Sequence, residues 1–218
     1  MKNTLLALVI GGLTSHSVLA NEFFIGGGAG YQNVKVDASD TLLSNYSTDA
    51  GRAAIHVRGG VYLSENHRVT ATINYMSDAT VYRNALGEYP SHFDSKAQLA
   101  QNEYLLSYDY LHPLSENFSL FGGATVGLVN NKAKLSIEHK PQDGNPSSRY
   151  SHQSSKTDFT YGLQLGMQYK LTESLSVDVQ YRHMFESYSE GFTRESGEST
   201  SLSFPYSNTY TVSLDYRF

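Results

Sequence analysis

Eight stretches of this sequence alternate between apolar and polar parities with few breaks, and a period of two is the mark of an extended strand with one apolar and one polar face. In RAAIHVRGGVYL, Ala53, Ile55, Val57, Gly59, Val61 and Leu63 share one parity, while Arg52, His56, Arg58 and Tyr62 share the other. RVTATINYM sets Val69, Ala71, Ile73 and Tyr75 against Arg68, Thr70, Thr72 and Asn74. EYLLSYDY and FSLFGGATVGLV repeat the split, with Leu105 and Phe121 breaking their polar faces. FTYGLQLGMQYKL, LSVDVQYRHMF and TYTVSLDYRF carry it with the fewest exceptions. The opening strand, FFIGGGAGYQ, presents Phe23, Ile25, Ala29 and Tyr31 on its apolar side and mostly glycine on the other.

The connections between these strands take two lengths in turn. Tight ones fall at Ser64 to His67, Pro113 to Asn117 and Thr172 to Ser174. Long ones run from Asp37 to Gly51, Val81 to Gln101, Asn131 to Lys156 and Ser189 to Ser207. Short turns at one end and long polar loops at the other suit a chain that crosses a bilayer repeatedly with tilted strands of about 9 to 11 residues. Alternation alone also fits a soluble secreted barrel whose apolar face points inward. The near absence of charge from the apolar faces and the unequal loops favour the membrane version. The expected fold is all-β: an eight-stranded antiparallel up-and-down transmembrane β-barrel with short periplasmic turns and long extracellular loops.

Residues 1–20 read as a cleaved signal peptide. Met1 and Lys2 give a positive start, LLALVIGGL an apolar core, and Val18-Leu19-Ala20 a small-residue cleavage site. The apolar run is too short for a spanning helix, which needs roughly 20 residues. Residues 21–218 then form the barrel domain. Losing Lys2 takes the formal net charge from −5 to −6, and this acidic balance argues against nucleic-acid binding. The absence of cysteine excludes disulfides, thiolate metal sites and a cysteine nucleophile.

The chain ends in Leu214, Tyr216 and Phe218 on one parity, and the terminal DYRF with GGGAGY at Gly26 to Tyr31 carries a resemblance. It resembles the small eight-stranded outer-membrane β-barrel family that includes the OmpA transmembrane domain and the OmpX/Ail attachment proteins. That resemblance implies the outer membrane of a Gram-negative bacterium, contact with membrane lipid and lipopolysaccharide, and Tyr216 and Phe218 as the signal read by the barrel-assembly machinery. It implies a monomer with a structural or surface-interaction role in adhesion or envelope integrity. A narrow ion channel is the alternative, and a lipid A-modifying enzyme a further one. The missing Trp leaves Tyr to hold the membrane interfaces.

Polar faces turned into so narrow a lumen fill it. Buried charges must be paired, so Arg58, Asp109, Asp178, Arg182 and Asp215 are expected to join in one interior network, with His56 and Glu103 extending it outward. It reads first as a structural plug and second as a gate for small ions. On the third long loop, Lys132, Lys134, Lys140, Arg149 and Lys156 outnumber Glu138 and Asp143. This basic set is a candidate contact for a host or surface ligand of opposite charge. Loop aromatics Tyr46, Tyr82, Tyr89, Phe93, Tyr150 and Tyr188 add to that surface.

Catalysis would need a hydroxyl, a base and an orienting acid. His152 with Ser154, and His92 with Asp94 and Ser95, are the combinations on offer, both in loops with no rigid strand to position them. The sequence therefore reads as a non-enzyme. No histidine spacing suits a metal, and GGGAGY lies within a strand and cannot cradle a phosphate, so no cofactor is expected.

Overall fold

The computed structural model describes residues 22–40, 46–86, 92–140, 148–193 and 199–218. The signal-peptide reading of residues 1–20 falls outside the described residues. Eight strands follow in chain order: β1 (Glu22–Asp40), β2 (Tyr46–Ser64), β3 (His67–Leu86), β4 (His92–Pro113), β5 (Phe118–Lys140), β6 (Ser148–Lys170), β7 (Leu175–Thr193) and β8 (Ser199–Arg217). Each pairs antiparallel with its neighbour, and β1 pairs with β8 to close the barrel.

Within the closed ring every strand is paired on both sides, the condition for crossing hydrocarbon without open edges. The alternation is inside out relative to a soluble protein. Leu165 is 60 % exposed, whereas its neighbour Gln164 is 5 % exposed. Outward side chains also sort by height. Phe23, Tyr108, Tyr110, Tyr169, Tyr216 and Phe218 ring the end with short turns, and Tyr31, Tyr75, Tyr104, Tyr161, Phe185 and Tyr210 lie further along the strands. Ile55, Val57, Ile73, Leu106, Val126, Leu163 and Val212 fill the band between them. Two aromatic belts around an apolar band of about 25 Å are what a bilayer selects.

The strands are longer than the crossing requires, at 19 to 23 residues. Much of what reads as long loop in the sequence is therefore strand. β5 and β6 stay paired as far as His139 with Ser148, and β1 and β2 as far as Ala38 with Tyr46. Their apolar residues are few and scattered among polar ones, so these extensions look like loops in the sequence even though Val34, Val36, Ala50 and Phe204 within them are buried.

Two seams divide the extensions. Pairing of β2 with β3 stops at Ala54 and Met76, and pairing of β6 with β7 stops at Thr160 and Glu186. Beyond those levels β3, β4, β5 and β6 continue as one sheet, and β7, β8, β1 and β2 as another. At the β6–β7 seam, Thr160 Oγ1 donates to Phe185 O at 2.9 Å, and Lys156 Nζ donates across it to Ser189 O at 3.4 Å.

Candidate functional site

The lumen is filled from the periplasmic end upward. Its lowest layer is apolar: Phe24, Tyr62, Leu111 and Phe121 pack together, each from a different strand. The guanidinium of Arg68 lies over them, 4.7 Å from the Phe121 centroid, 5.8 Å from Phe24 and 5.9 Å from Tyr62. Phe121 thus breaks the polar parity because it forms the floor under a buried cation.

Above that floor lies the charge network. Asp178 Oδ2 meets Arg58 Nη2 at 2.8 Å and Arg68 Nη1 at 2.7 Å. Arg58 also forks onto Asp215, with Nε to Oδ1 at 2.8 Å. Arg68 donates from Nε and Nη2 to Asp109 Oδ2 at 3.2 and 3.0 Å. Gln168 Nε2 donates to Asp178 Oδ1 and to the Tyr62 hydroxyl. Two glycines make room for the carboxylates: Gly26 is paired with Asp215, and Gly123 with Asp109. A Cβ at either glycine would run into the carboxylate opposite it.

The sequence-derived set is brought together with two changes. Arg68, on the polar parity but not named among the expected members, holds Asp109 and shares Asp178. Arg182 makes no ion pair with the three aspartates; its Nε donates to Gln164 Oε1 at 3.0 Å. Gln164 in turn donates to Asp109 Oδ1 at 2.5 Å, so Arg182 reaches the network through an amide relay. Geometry explains both changes. Arg68 stands next to the β2–β3 turn, level with the aspartates, while Arg182 is higher on β7. With Arg68 counted, three arginines face three aspartates and the network is electrically balanced.

A second polar layer caps the first. Gln32 Nε2 and Asn74 Nδ2 donate to the two oxygens of Glu103, and Arg52 Nε donates to Gln32 Oε1. Gln101 Nε2 reaches Glu186 Oε2 across the barrel at 3.0 Å. His56 Nε2 lies 2.7 Å from Ser213 Oγ. Between the layers His56, Arg58, Thr72, Asn74, Gln180, Arg182 and Thr211 surround a cavity of about 10 Å³, the room one water needs.

The basic loop set falls on strands. Lys132, Lys134 and Lys140 are on β5, and Arg149 and Lys156 on β6, all in the β3–β6 sheet. Lys132 is exposed, and Lys156 Nζ pairs with Asp158 at 3.2 Å. The side chains of Lys134, Lys140 and Arg149 lie outside the described residues. Asp37 and Asp49 stand on the other sheet, where Asp49 pairs with Lys35 at 3.7 Å and Asp37 accepts from Ser47 Oγ. His92, Asp94 and Ser95 fall on β4, and His152 and Ser154 on β6; their side chains are likewise outside the described residues. Among the described residues no group of three or more His, Asp or Glu has metal-ligand geometry.

At the closing strand, Phe218 N donates to Phe23 O at 2.9 Å and the two rings stack with centroids 6.5 Å apart. Tyr216 and Phe218 are both exposed on the outer wall.

Comparison with known proteins gives the same architecture. The structure of OprG from Pseudomonas aeruginosa is 15 % identical, with 91 % of this chain and 96 % of that chain covered and a TM-score of 0.58. Neisserial surface protein A is 15 % identical over 90 % of this chain and 97 % of that one, with a TM-score of 0.48. Ail from Yersinia pestis is 14 % identical over 92 % and 100 %, with a TM-score of 0.45. At 15 % identity the likeness to OprG is one of fold. No curated protein matches the sequence. The family described as "Outer membrane protein beta-barrel domain" matches residues 4–218. The chain belongs to that family, as a closed eight-stranded barrel of the bacterial outer membrane.

Proposed function

We propose that this protein is a plugged membrane anchor that holds two β-sheets above the outer leaflet for contact with a surface partner. The observation that carries this reading is the lumen: side chains from all eight strands meet in a floor, a balanced ion-pair layer and an amide-carboxylate cap. Such a filled lumen suits a rigid stalk better than a conduit. The basic residues of β5 and β6, with Asp37 and Asp49 on the opposite sheet, favour a partner whose first recognition is by charge. Export by cleavage after Ala20, assembly through Tyr216 and Phe218, and a monomeric barrel complete the proposal.

Two measurements test it. Purified barrel in planar bilayers should give no discrete conductance steps; regular steps that change when Arg58 or Asp178 is neutralised would establish a channel instead. Cells expressing the protein should adhere to an immobilised polyanion at low salt. Replacing Lys134, Lys140 and Arg149 by Gln should abolish that adhesion. Adhesion unchanged by the triple replacement would remove the basic sheet from the function.

A further inference from the structure

The outer wall carries a feature that the lumen and the extended sheets leave unused. On β7 and β8, where outward positions are otherwise apolar or aromatic, His183 and Asn208 sit side by side in register. Asn208 Oδ1 accepts two hydrogen bonds, from Tyr181 Oη and from His183 Nδ1, both at 2.7 Å. A carbonyl oxygen only accepts, so His183 Nδ1 is the donor of its bond. Asn208 Nδ2 and His183 Nε2 have no partner among the described residues. Rings surround the pair: Phe185 meets His183 edge-on at 4.8 Å, Tyr206 lies 5.4 Å from it, and Tyr210 lies 5.1 Å from Tyr181.

Immediately towards the periplasm the same wall is hollowed. A groove of about 400 Å³ crosses β6, β7, β8 and β1, and its apolar lining includes Ala29, Leu165, Met167, Val179 and Val212. Its outer edge is Tyr31, Tyr181 and Tyr210, the ring row beside the His183–Asn208 pair.

We propose that this face is a binding site for one glycolipid of the outer leaflet, with an acyl chain in the groove and a sugar of the headgroup on the aromatic platform. The pair stands at the height of the outer belt, where lipid headgroups begin. Polar side chains on a lipid-facing wall need partners. Amide and imidazole edges offer two hydrogen-bonding groups to vicinal hydroxyls, which can both donate and accept, and the rings give the C–H face of a pyranose an apolar surface. Among the described residues no charged side chain bonds to the pair, so a sugar suits it better than a lone phosphate. The proposal rests on the membrane embedding of this wall.

Native mass spectrometry on the intact barrel, titrated with lipid A and separately with phosphatidylethanolamine, tests it. Retention of one lipid A should exceed that of phosphatidylethanolamine by about tenfold, and Asn208→Leu should erase the difference. Ala29→Phe, which fills the groove and leaves the polar pair intact, should do the same. Equal retention of both lipids by the unaltered protein, or lipid A retention untouched by both variants, would overturn the site. Insertion is scored first, in phosphatidylethanolamine alone, by the mobility shift between unboiled and boiled samples. An uninserted chain would refute the embedding, and an inserted chain without lipid A preference would refute the site only. Leu at a lipid-facing position keeps the apolar pattern, so N208L is expected to insert.

Discussion

Arg68 reaches from the foot of β3 to Asp178 on β7, 2.7 Å from Nη1 to Oδ2, with the two residues 110 positions apart in sequence. Both are buried, and Arg68 also holds Asp109. Arg68→Met should therefore leave two carboxylates short of a partner and lower stability by about 3–5 kcal/mol, the cost of breaking a buried pair from one side. Arg68→Lys keeps the charge and loses the fork, so its loss should be smaller. Urea unfolding in detergent micelles, followed by the mobility shift, measures both.

Gly123 stands opposite Asp109, and a Cβ there meets that carboxylate and the Tyr108 carbonyl. Gly123→Ala should force the network to shift and cost about 1–3 kcal/mol, as overfilled interiors do. The adjacent outward Gly122 has only ordinary contact in store for a Cβ. Gly122→Ala should be nearly silent in the same assay, and equal losses would mean that the two glycines do not face opposite sides.

On the outer wall, Leu165→Arg places a charge within the apolar band and should cost about 2–4 kcal/mol, whereas Asn130→Arg, on the outward parity at the headgroup end of β5, should cost about 0–1 kcal/mol. Refolding titrations into lipid vesicles give the comparison. The opposite order would move the membrane band along the strands.

The seams should show in hydrogen exchange. Amides of β6 above Thr160 and of β7 above Glu186 that point across the seam have no partner strand there, so they should exchange faster than those facing β5 or β8. Lys156→Met removes the contact to Ser189 O and should speed exchange near Ser189 with a global effect below about 1 kcal/mol, the usual worth of an exposed contact. Uniform protection around the extensions would mean that the sheets are not separate.

The lumen charges were legible as a parity class, because strand geometry turns alternate positions inward whatever their identity. Which of them would touch was harder to read. Asp109, Asp178 and Asp215 with Arg58 and Arg182 leave one carboxylate over, and that imbalance was the available signal for Arg68. Leu105 and Phe121 looked like defects of the pattern. Phe121 is the ring under Arg68, a relation between distant strands that no local periodicity records. The outer extensions had no legible boundary because their buried face rests on a few separated residues, Val34, Val36, Ala50 and Phe204 among them, set in otherwise polar stretches. His183 and Asn208 are each ordinary in the sequence, and only the β7–β8 register makes them a pair.

The glycine-paired carboxylate on β8 has a temporal consequence. Arg58 is made early in the chain, and its partners Asp178 and Asp215 lie on the last two strands, with Asp215 157 positions after Arg58. A growing sheet that lacks those strands holds an arginine with no counter-ion and a lumen open on one side. Contacts so distant in sequence form late, after the cost of closing the intervening loop has been met. The balanced plug thus exists only in a fully closed ring, and a chain that stalls before β8 holds Arg58, Arg68 and Arg182 against only Asp109 and Asp178, an excess charge that opposes its settling into hydrocarbon.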